Sequence, residues 1–371
     1  MPMNEGEISG LIENRKSKIE NPLILVLFTA LALLVSGFCS HGAEAPLKRF
    51  EFKHPAMGTL FFITLYAPGS DKANEAAGAA FQRIEALEDI MSDYEADSEL
   101  MRLCDQPCGQ PVPVSKDLFD VLESAQKISA MSGGCFDVTV GPYVRLWRFA
   151  RKRKVLPTEA QLAEARQAVG YQKLRLDART RTVTLLVPHM RLDLGGIAKG
   201  YAADDALKLL RGRGIERALV AASGDIAIGK PPPGKTGWKV GIAAIDAKDQ
   251  EITTLLLLHD AGISTSGDSE QFIEIGGARY SHILNPATGL GLTNRIQASV
   301  IAPNATMTDA LATTVCVLGA QRGLALVNRL PRTAALILIQ DEDRKQSIAS
   351  RRFWKIPQTS TGNQDIQATE K

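Results

Sequence analysis

Four short stretches of this chain carry residue types whose spacing suits chemistry. Thr308 to Val317 reads TDALATTVCV, with Asp309 and Thr313 at positions i and i+4. On a helix both side chains lie on one face. A carboxylate and a hydroxyl are hard oxygen ligands, suited to a Mg²⁺ ion shared with substrate phosphates. A helix start capped by Asp309 is the plainer alternative, and spacing leaves both open. Arg191 to Tyr201 reads RLDLGGIAKGY, an extended stretch ending at Asp193, a Gly195-Gly196 turn and a helix from about Ile197. Such glycines let backbone approach a ligand, and the helix start offers N–H groups to an anion. A simple strand–turn–helix junction reads the same way. Tyr280 to Gly291, YSHILNPATGLG, is turn chemistry preceded by His282, a general-base candidate or an ordinary hairpin histidine. Gly133 to Trp147, GGCFDVTVGPYVRLW, predicts a turn, a short strand and a second turn at Gly141-Pro142. Its Phe136, Tyr143 and Trp147 would stack on a flat ring or fill the core.

A fifth pattern is rejected on physical grounds. Gly229 to Thr236, GKPPPGKT, satisfies the phosphate-loop pattern G-x-x-x-x-G-K-[ST]. That loop works by aiming successive backbone N–H groups at phosphates before a helix. Pro231, Pro232 and Pro233 have no N–H, and the following GWKVGI predicts a strand. The segment reads as a Pro-rich turn between strands.

The elements that must position these stretches alternate along the chain. Thr59 to Tyr66 (TLFFITLY) predicts a strand, followed by a helix capped near Ser70-Asp71 with Ala77, Phe81, Ile84, Leu87 and Met91 at helical spacing. A second helix follows Ser115. Further strands are expected at 182–187, 217–222, 238–244, 271–275, 297–302 and 334–339, and helices at 197–210, 308–318 and 321–329. No internal repeat or long linker interrupts them. They give one α/β domain over residues 46–356, with a polar, disordered tail over 357–371.

Composition and the N-terminus bound the class of protein. Of 371 residues, 45% are hydrophobic and 23% charged, enough apolar material for a substantial core. The net charge of +2 lacks the basic excess of a nucleic-acid binder, so that class is set aside. Pro22 to Phe38 is apolar and follows Arg15, Lys16 and Lys18, with small residues after it, so residues 1–45 read as a secretory signal. The acidic leading segment, and a run just short of the about 20 residues of a membrane span, also admit a retained anchor. Lipidation at Cys39 is a third reading, weakened by Phe38 where a small residue is wanted. Each puts the rest of the chain outside the cytoplasm, in the periplasm or anchored facing it. Five cysteines are too few for a disulfide scaffold; Cys104 and Cys108 are close enough for a local bridge, and Cys316 suits the core.

Each stretch is weak alone; their order along the chain is not. Met57-Gly58-Thr59, the G-x-F-D-x-T-x-G-P stretch ending in Leu146-Trp147, DLGGIAKGYA, STSGDSEQF, HILNPATG and DALAT together resemble the ApbE family over about residues 50–340. The family consists of FAD:protein FMN transferases. The resemblance implies an α/β (α+β) fold related to the T-fold, with mixed sheets, helices and an FAD cleft between lobes. It implies that Met57 and Tyr94 pack against FAD. Cys135, Phe136 and Asp137 would line its site through backbone and side chain, and Asp193 and Lys199 would contact it. The Gly196 carbonyl, Asp309 and Thr313 would hold Mg²⁺, while His282 and Ile283 would sit beside the pyrophosphate, with His282 as base for the incoming threonine hydroxyl. The implied partner is an acceptor flavoprotein, such as a membrane redox-complex subunit. Ser223-Gly224-Asp225 in place of a Gly-Gly-Asn-like turn, and Cys135 where Ala is common, are departures that remove no charged ligand. An FAD pyrophosphatase and a non-catalytic flavin-binding protein stay as alternatives.

Overall fold

Alternating side chains along the central strands face two different cores, and this sets the layering of the chain. A computed structural model describes residues 46–245, 252–267, 271–341 and 344–359. The expected signal or anchor over 1–45, Asp268 to Glu270 of the STSGDSEQF stretch and the tail from 360 onward lie outside the described residues. In chain order the strands begin with β1 (Lys48–Ala56), β2 (Thr59–Ala67), β3 (Val112–Pro113), β4 (Leu174–Asp177), β5 (Thr182–Leu185), β6 (Ala218–Ala222) and β7 (Asp225–Ile228). They continue with β8 (Trp238–Ala243), β9 (Ile252–Leu258), β10 (Ala261–Gly267), β11 (Phe272–Ile275) and β12 (Ala278–Ser281). The last four are β13 (Arg295–Ala302), β14 (Ala334–Asp341), β15 (Arg344–Ala349) and β16 (Gln358–Thr359). The helices are α1 (Ser70–Met91), α2 (Glu99–Cys104), α3 (Lys116–Ser132) and α4 (Gly141–Arg153), then α5 (Glu159–Gln167), α6 (Ala198–Gly212), α7 (Ala305–Leu318) and α8 (Ala320–Arg329).

Eight strands form one sheet in the order β1-β2-β6-β7-β10-β13-β14-β15, each neighbouring pair antiparallel. Along β13 and β14, Ala298, Val300, Ala335 and Ile337 point into the larger core, shared with α1, α6 and α7. The intervening Ile301, Ala334 and Leu336 face the opposite way, against Trp238, Val240, Leu256 and Phe353. That second layer is the small sheet β16-β9-β8. Period-two alternation of this kind is what a strand covered on both faces requires. The pairing of Gln358-Thr359 with Leu256-Leu255 carries the ordered chain past residue 356, into what reads from sequence as the polar tail.

Three more expectations are corrected. Gly141-Pro142 opens helix α4 with proline at its start, where no N–H is needed, so the anticipated strand and second turn are a 3₁₀ turn (Val138–Val140) and a helix. Asp309 lies inside α7, whose first turn is capped by Asn304 accepting from the Met307 N–H at 2.8 Å, so Asp309 is not the cap. Cys104 and Cys108 are both free thiols; Cys104 is buried and its Sγ accepts from the Leu192 N–H at 3.3 Å. The Pro231-Pro232-Pro233 segment is a turn between β7 and β8, with a strand after it where a phosphate loop would need a helix.

Candidate functional site

The residues singled out by sequence come from six separate stretches, and they meet in one cavity of about 1200 Å³. Met57, Tyr94, Cys135, Phe136, Asp137, Asp193, Gly196, Lys199, His282, Ile283, Asp309 and Thr313 all line it. Small-molecule pockets are commonly about 300–1,000 Å³, so this one has room for a dinucleotide.

One wall is built by the starts of α6 and α7, which touch at Gly200. A Cβ there would stand 2.3 Å from the Ala305 carbonyl oxygen and 2.9 Å from the Asp309 Cβ, so only glycine allows the approach. The Gly200 N–H in turn donates to Asp309 Oδ2 at 3.0 Å. Asp204, one turn further along α6, accepts from the Ala305 N–H (2.8 Å), the Thr306 N–H (2.7 Å) and the Thr306 hydroxyl (2.6 Å). A carboxylate of one helix thus caps the other.

Between the helices and the sheet lies a buried charge cluster. Lys199 Nζ stands 2.9 Å from Asp225 Oδ2 and 3.8 Å from Asp309 Oδ2, and donates to the Gly195 carbonyl at 3.2 Å. Burial works to lower the ammonium's pKa, but Asp309 and Asp225 outweigh it and hold it above the ordinary lysine range. Burial and then Asp225 push the Asp309 carboxyl upward. Two carboxylates facing one ammonium leave the cluster short of positive charge. Beside it, the Thr313 hydroxyl is 3.3 Å from the Ser266 hydroxyl, and both line the cavity.

His282, which also lines the cavity, follows β12. Its backbone N–H donates to the Gln271 carbonyl at 3.0 Å, and its Nδ1 lies at 3.0 Å from the same oxygen. A carbonyl only accepts, so Nδ1 carries a hydrogen, and in the neutral ring the lone pair falls on Nε2. Asp137 lines the cavity with its carboxylate held by the fold. Its Oδ1 accepts from the Thr139 N–H (2.8 Å) and hydroxyl (2.7 Å), and its Oδ2 accepts from the Tyr171 N–H (2.8 Å). That carboxylate ties its loop to the Tyr171 segment, while Cys135, Phe136 and Asp137 all line the cavity.

At the mouth, Tyr94 is 78% exposed, with the Arg148 guanidinium 3.9 Å above its ring. Arg148 also pairs with Asp93. Burial, with Asp93 beside it, pushes the Asp193 carboxyl up to about 6, while its Oδ1 accepts from the Gly195 N–H at 2.8 Å. Sequence reasoning passed over Asp93, Arg148, Asp204 and Ser266 as site residues and met Asp225 only as a departure in a turn. Arg148 had a visible signal, the cationic run from Arg145 to Lys154; the others are brought to the site by contacts no local pattern encodes.

The fold and the site define an α/β protein with a large cleft suited to a phosphate-bearing ligand. Residues 57–337 match the model of the ApbE family, and the chain belongs to that family. It is 30% identical over 335 residues to the FAD:protein FMN transferase of Vibrio cholerae serotype O1, an alignment covering 89% of this chain and 97% of the relative. It is 32% identical over 310 residues to the FAD:protein FMN transferase of Salmonella typhimurium, covering 82% and 87%. Among solved structures, the flavin transferase ApbE from Vibrio cholerae superposes with a TM-score of 0.76 at 30% identity, over 84% of this chain and all of that one. The ApbE protein of Thermotoga maritima superposes with a TM-score of 0.74 at 28% identity, over 83% and 99%.

Proposed function

We propose that this protein is a Mg²⁺-dependent transferase that moves FMN from FAD onto a threonine hydroxyl of an acceptor protein and releases AMP. Flavin transfer follows from membership of the ApbE family and from relatives named FAD:protein FMN transferase. The observation that carries the rest is the charge-deficient cluster of Asp225, Asp309 and Lys199 beside two hydroxyls in a dinucleotide-sized cavity.

The donor set fits Mg²⁺. No group of three or more His, Cys, Asp or Glu placed to hold a metal occurs among the described residues, so a closed protein cage is not on offer. Mg²⁺ does not need one, since it keeps waters and shares itself with substrate phosphates. Asp309, Thr313 and the Gly196 carbonyl would hold it, and when bound it supplies positive charge to the phosphoryl oxygens.

The chain's own residues account for the other parts of the reaction. Met57, Tyr94, Cys135, Phe136, Asp193, Lys199 and Ile283 are the proposed walls of the FAD site. The ammonium of Lys199 remains charged and stabilises the pyrophosphate side. N–H groups at the start of α6 receive negative charge. His282 Nε2 takes the proton from the threonine hydroxyl as its oxygen bonds to the FMN-side phosphorus. The bond from that phosphorus to the bridging oxygen breaks, and AMP leaves.

The decisive experiment mixes the protein with FAD, Mg²⁺ and a threonine-bearing acceptor, then looks for flavin fluorescence on the acceptor after denaturation. EDTA should abolish it; transfer that persists in EDTA removes the metal from this account. Free FMN and AMP with no labelled acceptor would favour the pyrophosphatase reading. Replacement of His282 by Asn should leave FAD binding intact and reduce transfer by about 10²–10⁴-fold, the range for a lost general base. We further propose export, with the N-terminal segment as signal or anchor. Fusing it to a reporter active only outside the cytoplasm tests that.

A further inference from the structure

The mouth of the cavity is rimmed by a surface whose composition is unlike the rest of the molecule. From Val138 to Thr158 the chain carries six cationic side chains and no acidic one, although the whole sequence is nearly balanced at +2. Arg151 to Lys154 are exposed in succession at the end of α4, and among the described residues none of the four makes an ion pair. The three most exposed large apolar side chains described are Tyr94 (78%), Val155 (61%) and Phe149 (56%), and all three belong to this surface. Tyr94 lies under Arg148 at 3.9 Å, and Phe149 under Arg153 at 5.1 Å. Arginine with tyrosine and phenylalanine is the composition of protein interface centres, not of ordinary solvated surface.

The surface is continuous with the reaction site. Tyr94, Arg148 and Arg151 line the cavity, while Lys152 to Lys154 lie outside it. An anionic bilayer is also attracted to such a cationic cluster. Here, however, one face of each ring is already covered by a guanidinium, which is poor geometry for insertion among lipid chains. The polymer that must come to this mouth is the one carrying the reactive hydroxyl. Charge complementarity then fixes its chemistry.

We propose that the end of α4 and the Tyr94 loop form the docking surface for the acceptor protein, and that the acceptor presents an acidic segment beside its reactive hydroxyl. This rests on the reading of the chain as a protein-modifying transferase. The cationic rim draws the acidic flank in, and the paired rings give it a flat, rigid contact. Discrimination among acceptors is then set partly by charge outside the chemical site.

The test uses the full chain and short fluorescent peptides with a single threonine, flanked by Asp, by Asn or by Lys. Binding is read by anisotropy without FAD, so that it does not depend on transfer. The Asp-flanked peptide should bind about tenfold more tightly than the Asn-flanked one, and the difference should shrink in high salt. Lys152→Glu, Arg153→Glu and Lys154→Glu together should reverse the preference toward the Lys-flanked peptide and leave FAD binding unchanged. Equal binding of the three peptides, or an acidic preference that survives the charge reversal, overturns the proposal. So does charge-dependent capture by phosphatidylglycerol vesicles without peptide discrimination, which would assign the surface to a membrane. A parallel assay for covalent flavin on a threonine-bearing acceptor reports on the transferase reading alone. Its failure, with peptide discrimination intact, would sink that reading and not the surface.

Discussion

Asp193 illustrates how much of this site is set by what surrounds a residue. Burial and the neighbouring Asp93 hold its carboxyl at about 6, well above the ordinary aspartate range. A carboxyl raised in the fold binds its proton more tightly there than in the unfolded chain. Its contribution to stability is therefore complete below about pH 4 and lost as pH rises through about 6. Asp193→Asn keeps an oxygen for the Gly195 N–H and removes the titration. The variant should melt close to wild type at about pH 4 and gain on it steadily toward about pH 7. Thermal melts across that range decide the matter; a constant difference would mean that Asp193 does not titrate there. None of this is visible in RLDLGG itself, which reads equally as a simple strand–turn–helix junction. The residue type was legible, but its charge state depends on burial and then on Asp93, a hundred positions away.

At the scale of elements, sequence patterns located many of the pieces and missed others, among them β1, the apolar β9 and the polar β10. Strand β10 (AGISTSG), rich in serine and threonine, is absent from the strands expected of the sequence. In the fold, Ser264 bonds Thr308 at 2.7 Å and Ser266 faces Thr313, so both serine hydroxyls meet helix α7, while Thr265 bonds Ser299 of β13 at 2.7 Å. Helix α5 escaped notice because it buries only Leu162, which leaves no stripe to detect. The contact of most consequence for the site joins α6 to α7 through Asp204, and it offers a sharp test. Asp204→Asn keeps the size of the side chain but turns one acceptor oxygen into a donor facing a backbone N–H. It should cost about 1–3 kcal/mol, the penalty for a buried unsatisfied group. Because α7 carries Asp309 and Thr313, it should also weaken Mn²⁺ binding about tenfold, as loss of a supporting contact around a metal site does. Asn304→Ala removes the other cap of α7 at about 1 kcal/mol and serves as the control. Mn²⁺ affinity read by electron paramagnetic resonance should fall in the first variant only. Equal losses in both would reduce Asp204 to an ordinary cap.

Seen whole, the molecule joins residues that sequence spacing could never have paired: the Gly200 N–H reaches Asp309 across 109 positions. Local periodicity specifies faces of helices and strands, whereas the order β2-β6-β7-β10-β13 that brings Asp225 beside α7 is a matter of global packing. That order also gives the two cores shared strands, since β6, β7, β13 and β14 present apolar side chains to both. Neither layer can then lose its packing without disturbing the sheet the other rests on, and unfolding of the domain should be a single cooperative transition. Phe353 tests this from the far side. It is 1% exposed within the smaller core, against which the cavity-lining strand β8 packs. Phe353→Ala should cost about 3–5 kcal/mol, the range for deleting a buried phenyl ring. In urea the helix signal comes mainly from the larger core's layer, whereas fluorescence includes Trp238 of the smaller one. Both probes should shift to lower denaturant together and keep coincident midpoints. If fluorescence moves and the helix signal stays, the small sheet unfolds by itself, and the wall it gives the cavity is a separable unit.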